Sequence, residues 1–212
     1  MPRSQSILGE LRRRIVLNEL QPGAVLTELA LAADLNSSQA SIREALLRLE
    51  GEGLVMRSGH QGTTVTGLET VEAREILGLR KRIEGRAAGL IIRNRGTADV
   101  ERLYGFLADM QDAAGSDDLG AMVQADTAFH LALFRISRLH AMEPILARCI
   151  LHSHRFRLWA PWHRRPLAQT ANRHLPILDV LENGDVAGLR RQIEGHLDTI
   201  VEAPRHDRKN AA

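Results

Sequence analysis

Residues 26–55 read LTELALAADLNSSQASIREALLRLEGEGLV, and their spacing decides the fold of the front of the chain. Thr27 can cap a short helix in which Leu31 and Leu35 share a face. Asn36-Ser37 breaks that helix, and Ser38 can cap another running to about Gly51. Within it Ile42, Ala45, Leu46 and Leu49 recur at i, i+3, i+4 and i+7, an inward-facing stripe. Gln39, Ala40, Arg43 and Leu47 lie off the stripe or flank it. Gly51 or Gly53 stops the helix. Upstream, Ile7, Leu11 and Ile15 are spaced for one face of an earlier helix, and Gln21-Pro22-Gly23 makes a turn. Downstream, residues 54–57 and 63–66 are β-rich, and Ser58-Gly59-His60-Gln61-Gly62 can turn between them. Three short helices followed by a hairpin is the winged helix-turn-helix plan.

That order of elements has a mechanical logic for DNA. The third helix is a rod that fits the major groove. Its first turn carries Ser38 and Gln39, with free backbone N–H groups that favour phosphate. Arg43, one turn on, supplies a forked cation for phosphate or a guanine edge. The hairpin can press Arg57 and His60 against the backbone, and Gly59 and Gly62 permit close approach. On spacing alone, the favoured reading of Arg43 is a solvated helix residue paired with an acid. Residues 1–66 hold seven arginines and seven acidic residues, so no bulk basic patch supports the DNA reading.

The whole chain has 212 residues, 44% of them hydrophobic and 25% charged, a composition that excludes a disordered protein. Aromatics make up 3%, so Leu, Ala, Ile and Val fill the interior, which favours helices over an all-β sandwich. No apolar run reaches ~18 residues, so no membrane span is expected. The first residues lack the pattern of a signal peptide. The one cysteine, Cys149, excludes an internal disulfide and fits a cytoplasmic protein. The formal net charge of +2 identifies no partner.

The 26–55 run, followed by a Gly-bearing hairpin, resembles the N-terminal domain of GntR-family transcriptional regulators. The matching residues are Pro22-Gly23, Leu26, Glu28, Leu31-Ala32, Ser38, Arg43-Glu44-Ala45-Leu46, Leu49, Glu52-Gly53-Leu54-Val55 and Gly62. The resemblance implies that Ser38, Arg43 and Gly62 touch operator DNA. Gln39 stands where an Arg is usual, and Ser41 where Pro or Thr is usual. Gln39 can still read an adenine edge.

From Glu69 onward the chain reads as helices, at about 70–94, 97–114, 118–138, 142–160, 167–183 and 186–202. Pro144 suits a first turn, and Pro176 either sits near the start of the fifth helix or kinks it. Asp126 and His130 are four residues apart on one helical face, about 6 Å along the axis. His174 near the start of the fifth helix and His196 midway along the sixth come to similar heights across a helical hairpin. Three imidazoles and one carboxylate on inward faces suit a divalent transition metal. A lone Asp-His pair at this spacing is more commonly a surface ion pair.

DTAFH, RHLPILDVLENGDVAGLRRQIEGHL and LRKRIE together resemble the FCD ligand-binding domain of the FadR subfamily, and the six helices its VanR-like branch. Arg80, Glu84, Asp126, His130, His174, Gly184-Asp185 and His196 fit its pattern, with Arg173 in place of an acid and His140 in place of Asn. The resemblance implies a metal held by Asp126, His130, His174 and His196, with zinc first and nickel or manganese as alternatives. It also implies a small carboxylate effector, for which Arg80 is the best single candidate by its place in the pattern; His152, His154 and Trp159 are weaker candidates.

The run between Glu143 and Asp179 points the same way. It has no acid, yet it carries Arg148, Arg155, Arg157, Arg164, Arg165 and Arg173. Such a run is commonly a solvated face. The interleaved Ile150, Leu151, Phe156, Leu158 and Trp159 put part of it inside, where a cation-lined cavity suits a carboxylate.

The expected protein is mainly α. A winged helix-turn-helix domain occupies 1–67, an antiparallel six-helix FCD bundle 68–203, and a disordered tail 204–212. A homodimer would place two third helices on a near-palindromic operator, as a repressor answering to a small organic acid. The rival readings are a metal-dependent hydrolase and a sensor of the metal ion itself.

Overall fold

The computed structural model describes residues 3–58, 62–160 and 165–200. Contacts divide the chain into two units, Met1–Glu69 and Thr70–Ala212. The first opens with α1 (Arg3–Val16), β1 (Val25–Leu26), α2 (Glu28–Asp34) and α3 (Gln39–Gly51). Thr27 caps α2, its Oγ1 accepting the Ala30 N–H at 3.2 Å, and Ser38 caps α3, its Oγ accepting the Ser41 N–H at 3.1 Å. The turn between them passes through Asn36 at φ 45°, a left-handed conformation that Asn tolerates. The α3 stripe of Ile42, Ala45, Leu46 and Leu49 is buried together with Leu11 and Ile15 of α1.

The wing is β2 (Val55–Ser58) and β3 (Gly62–Val65), antiparallel, with Arg57 opposite Thr63. β1 adds to the other edge of β3, giving the order β1-β3-β2. Two residues are too few for a periodic signal, so sequence reasoning did not anticipate β1. Gly62 opens β3 at φ +83°, where a side chain would be strained. His60 and the rest of the hairpin tip lie outside the described residues.

Ion pairs take up three of the arginines of α1. Arg12 pairs with Glu52 at 2.5 Å, Arg13 with Glu10 and Glu19 at 3.0 and 2.6 Å, and Arg14 with Glu10 and Asp34. The charges of these three arginines are taken up inside the unit.

The second unit is a helical bundle of α4 (Thr70–Asn94), α5 (Thr97–Gly115), α6 (Leu119–Arg135), α7 (Glu143–Trp159), α8 (Leu167–Asn172), α9 (Leu175–Glu182) and α10 (Val186–Asp198). α4 packs on α7 and α10, and α5 on α6 and α8. Leu103, Leu107, Phe129, Leu133, Leu181 and Ile193 form its centre. The mainly α class with a winged helix-turn-helix and a helical FCD bundle is as the sequence implied. The helix expected over 167–183 is instead two, α8 and α9. Pro176 lacks an N–H and fits only the first turn of a helix. A new helix therefore starts at Leu175, with His174 at its cap. α6 stops short of the expected 138, and Arg138 lies at φ 62°. Among the described residues, no helix is long and apolar enough to cross a membrane. The tail expected from 204 lies outside the described residues.

Leu46 is buried in the first unit to 1% exposure. Leu46→Ala is expected to cost about 2–5 kcal/mol of that unit's stability, read by chemical denaturation. A loss below about 1 kcal/mol would mean that this side chain is not at a packed centre.

Candidate metal centre, anion cavity and DNA-facing helix

Three elements of the bundle bring four side chains together. α6 supplies Asp126 and His130 one turn apart on its buried face, the cap of α9 supplies His174, and α10 supplies His196. Each offers one ligand atom, and the four atoms lie within 4.8 Å of one another. His130 Nε2 is 3.3 Å from His196 Nε2 and 3.9 Å from Asp126 Oδ2, while His174 Nε2 is 3.2 Å from Asp126 Oδ1. The rings of His174 and His196 lie 4.6 Å apart, and Phe129 closes the apolar side, 4.7 Å from His174.

The outer partners of the histidines decide which nitrogen faces inward. His130 Nδ1 lies 2.8 Å from Glu84 Oε2, and His174 Nδ1 lies 3.1 Å from the Ala171 carbonyl oxygen. Both acceptors lack a proton, so each Nδ1 carries the N–H and each Nε2 presents a lone pair inward. His174 Nε2 is buried and makes no hydrogen bond, though it faces a carboxylate oxygen. Two acceptors opposed at this range repel unless a proton or a cation lies between them. The donor set of three imidazoles and one carboxylate, with two of the rings oriented from behind, fits a borderline divalent ion.

The charges around this cluster are set by burial and pairing. Burial would raise the Glu84 carboxyl, but the Arg80 guanidinium and the His130 N–H hold it at about 2. Arg80 Nε donates to Glu84 Oε1 at 2.6 Å, so Arg80, Glu84 and His130 form one chain. Burial would likewise raise Asp126, but His154 beside it holds it well below the usual carboxylate range. Burial pushes His130 down, and burial with the nearby His174 and His130 pushes His196 well down.

Beside the cluster is a small cavity with about 10 Å³ of room for the centre of a water molecule, on the order of one water. Arg80, Arg157, Arg165, Arg173, Asp126 and His196 line it. Arg157 donates to Thr170 Oγ1 at 2.7 Å, and Arg173 to the His196 carbonyl at 2.9 Å. Of the residues expected at the effector, Arg80 is here, fully buried, with one terminal nitrogen making no hydrogen bond. His154 is here too, with Nε2 at 3.2 Å from Asp126 Oδ2. His152 and Trp159 are placed elsewhere, around Arg155: His152 Nδ1 lies 3.3 Å from its Nη1, and the Trp159 ring is 4.3 Å from its guanidinium carbon. Sequence reasoning did not single out Arg157, Arg165 and Arg173 as lining residues. Its signal was the acid-free run that contains all three.

On the DNA side, Gln39 and Arg43 are exposed along the start of α3 beside the Ser38 cap. Arg43 makes a forked ion pair with Glu28, the first residue of α2, at 2.6–3.0 Å. The pairing expected on spacing alone is therefore present, on an exposed surface where such pairs are weak and exchangeable. Arg57 is exposed on β2, its backbone N–H donating to Glu50 at 3.2 Å.

The buried histidines set a pH dependence. His130 and His196 titrate below their ordinary 6.5 in the folded chain. The unfolded chain therefore binds more protons as pH drops below about 6.5, and stability is lost in that direction. Depressed Glu84 and Asp126 add a further loss below about pH 4.5. In chelator, the melting temperature is expected to fall between pH 8 and pH 5, most steeply below 6.5. A flat or rising profile would contradict neutral buried imidazoles.

The fold agrees with comparisons to known proteins. The family described as bacterial regulatory proteins, gntR family, matches residues 3–65, and the FCD domain matches residues 75–199. The Nta operon transcriptional regulator of Aminobacter aminovorans is 31% identical over 186 residues, covering 86% of this chain and 87% of that protein. The HTH-type transcriptional repressor RspR of Escherichia coli K12 is 26% identical over 212 residues, covering 98% and 91%. The structure of E. coli McbR/YncC superposes with a TM-score of 0.81 at 22% identity, covering 94% of this chain and 95% of that one, a likeness of fold. These families and relatives are regulators, not enzymes, and the chain belongs to the GntR family of transcriptional regulators, with an FCD domain behind its winged helix-turn-helix.

Proposed function

We propose that this regulator is a repressor, acting as a homodimer on a near-palindromic operator, and that a small organic acid bound beside a divalent metal in the FCD domain lowers its operator affinity. The observation that carries this reading is the shared wall of the two sites: Asp126 and His196 belong both to the four-donor cluster and to the arginine-lined cavity. The name of RspR as a repressor supports the sign.

Residues 1–67 hold the DNA. Ser38, Gln39 and Arg43 present the start of α3 to the major groove, and Arg57, His60 and Gly62 of the wing approach the backbone. Arg43 must exchange Glu28 for a phosphate or a guanine edge. Residues 68–203 hold the effector. Asp126, His130, His174 and His196 would bind the metal, zinc first and nickel or manganese as alternatives. When bound, such an ion supplies positive charge and open coordination positions to a carboxylate. Glu84 and the Ala171 carbonyl orient two of the ligands, and Arg80 offers its free N–H to the acid. The acid shifts operator affinity because it binds one state of the protein better than the other. A coupling of about 1–3 kcal/mol is ordinary for such regulators, roughly 5- to 150-fold in affinity.

The test is a band-shift with promoter fragments from the gene's own neighbourhood. Retardation that a small organic acid relieves supports the reading, and no retardation at low salt by folded protein overturns it. A steep loss of operator affinity on zinc alone would instead make the ion the effector. Arg43→Ala is expected to weaken operator binding about tenfold or more, the scale of one charged contact, without lowering the melting temperature. Unchanged affinity would remove Arg43 from the interface. His174→Ala and His196→Ala are expected to lose bound metal and thermal stability together, read by elemental analysis and melting. Wild-type metal content in both variants would displace the metal from this site.

A further inference from the structure

A fourth element stands against the donor cluster. α7 packs on α6 and carries Leu146, Ile150 and His154 at intervals of one turn, on one face. Leu146 and Ile150 are fully buried, and they draw His154 inward to 7% exposure. The donor atoms of Asp126, His130, His174 and His196 gather without it. Its Nε2 nevertheless lies 3.2 Å from Asp126 Oδ2.

The Asp126 carboxylate is thereby shared between neighbours. Oδ1 faces His174 Nε2 at 3.2 Å, and Oδ2 lies between His154 Nε2 at 3.2 Å and His130 Nε2 at 3.9 Å. His130 and His174 have no proton to give it, because each commits its N–H outward, to Glu84 and to the Ala171 carbonyl. His154 differs from both. Among the described residues nothing accepts a hydrogen bond from its Nδ1, so no outer partner holds its proton there. A carboxylate accepts and cannot donate, and the tautomer that suits it carries the proton on Nε2. His154 Nε2 is buried and within reach of Oδ2, but out of hydrogen-bond alignment, so a buried donor is left without a completed bond.

We infer that His154 is the positioning residue for Asp126: it donates Nε2–H to Oδ2 and holds the carboxylate turned toward His174 for a divalent ion. This rests on the metal reading above and adds a residue outside the donor set. Glu84 stands behind His130, the Ala171 carbonyl behind His174, and His154 behind Asp126. A carboxylate held from behind keeps one rotation, and a divalent ion then meets a donor set that is already oriented.

The test is zinc affinity of the full-length protein, read by competition with a chromophoric chelator, for wild type, His154→Leu and His154→Gln. Leu fills the space without a donor. Gln carries an amide N–H as many bonds from Cα as Nε2 of histidine. His154→Leu is expected to weaken zinc binding about 10- to 100-fold, the scale of losing an outer partner, and His154→Gln to stay within about threefold of wild type. A role in packing alone predicts the reverse order, because Leu suits an apolar neighbourhood better than Gln. If His154→Leu does not fold, His154→Ala takes its place. X-ray absorption of zinc-loaded His154→Leu is expected to keep every imidazole of the wild-type shell. Wild-type affinity in His154→Leu, no recovery in His154→Gln, or loss of an imidazole from the shell overturns the inference and leaves the metal reading standing. Wild type that binds no zinc overturns both.

Discussion

The Glu84 carboxylate, fixed between Arg80 and His130, is the interaction on which the interior of the FCD domain depends. It is fully buried, so it would be costly if left alone. The guanidinium on one side and the imidazole N–H on the other make it tolerable. In return it sets the tautomer of His130 and turns that ring's remaining lone pair toward Asp126 and His196. The Ala171 carbonyl does the same for His174. The result is two imidazole lone pairs turned toward the buried Asp126 carboxylate, an arrangement that calls for a cation.

Backbone rules put those side chains in place. Asp126 and His130 share a helical face because they are one turn apart. His174 comes inward because Pro176 forbids a continuous helix, and the restart makes His174 the cap of α9. Gly184 at φ 70° and the Asp185 cap then reverse the chain, so that α10 returns alongside and carries His196 back to the same level. A proline and a glycine-aspartate turn are thus as important to the cluster as the ligand types themselves. The cavity beside it follows from a different constraint. The stretch after Glu143 has no acids of its own, so its arginines have no local carboxylate to pair with.

Much of this was legible in the residues. The α3 stripe, the Thr27 and Ser38 caps and the wing strands follow from local spacing and turn chemistry, and the structure reproduces them within a residue or two. The long bundle helices were equally plain. What stayed hidden was decided by tertiary contacts. β1 is two residues long and exists only because β3 offers an edge. The break at His174 turns on whether Pro176 is read as a kink or as a first turn, and periodicity does not choose. His152 and Trp159 look like site residues by type and neighbourhood, but Arg155, buried among them, takes both. Helical spacing gives the face of a residue and not its depth. Arg165 and Arg173 could therefore be seen as basic without being seen as lining a cavity. Arg43 shows the opposite case: local spacing suggested an acid partner, and Glu28 supplies it.

X-ray absorption at the metal edge of the purified protein tests the central claim most directly, because it reads the atoms around the ion. Three imidazole nitrogens and at least one carboxylate oxygen in the inner shell, with the multiple scattering of histidine rings and no sulfur, is the predicted spectrum. An edge with a sulfur shell, or one lacking histidine scattering, would contradict a centre built on Asp126, His130, His174 and His196.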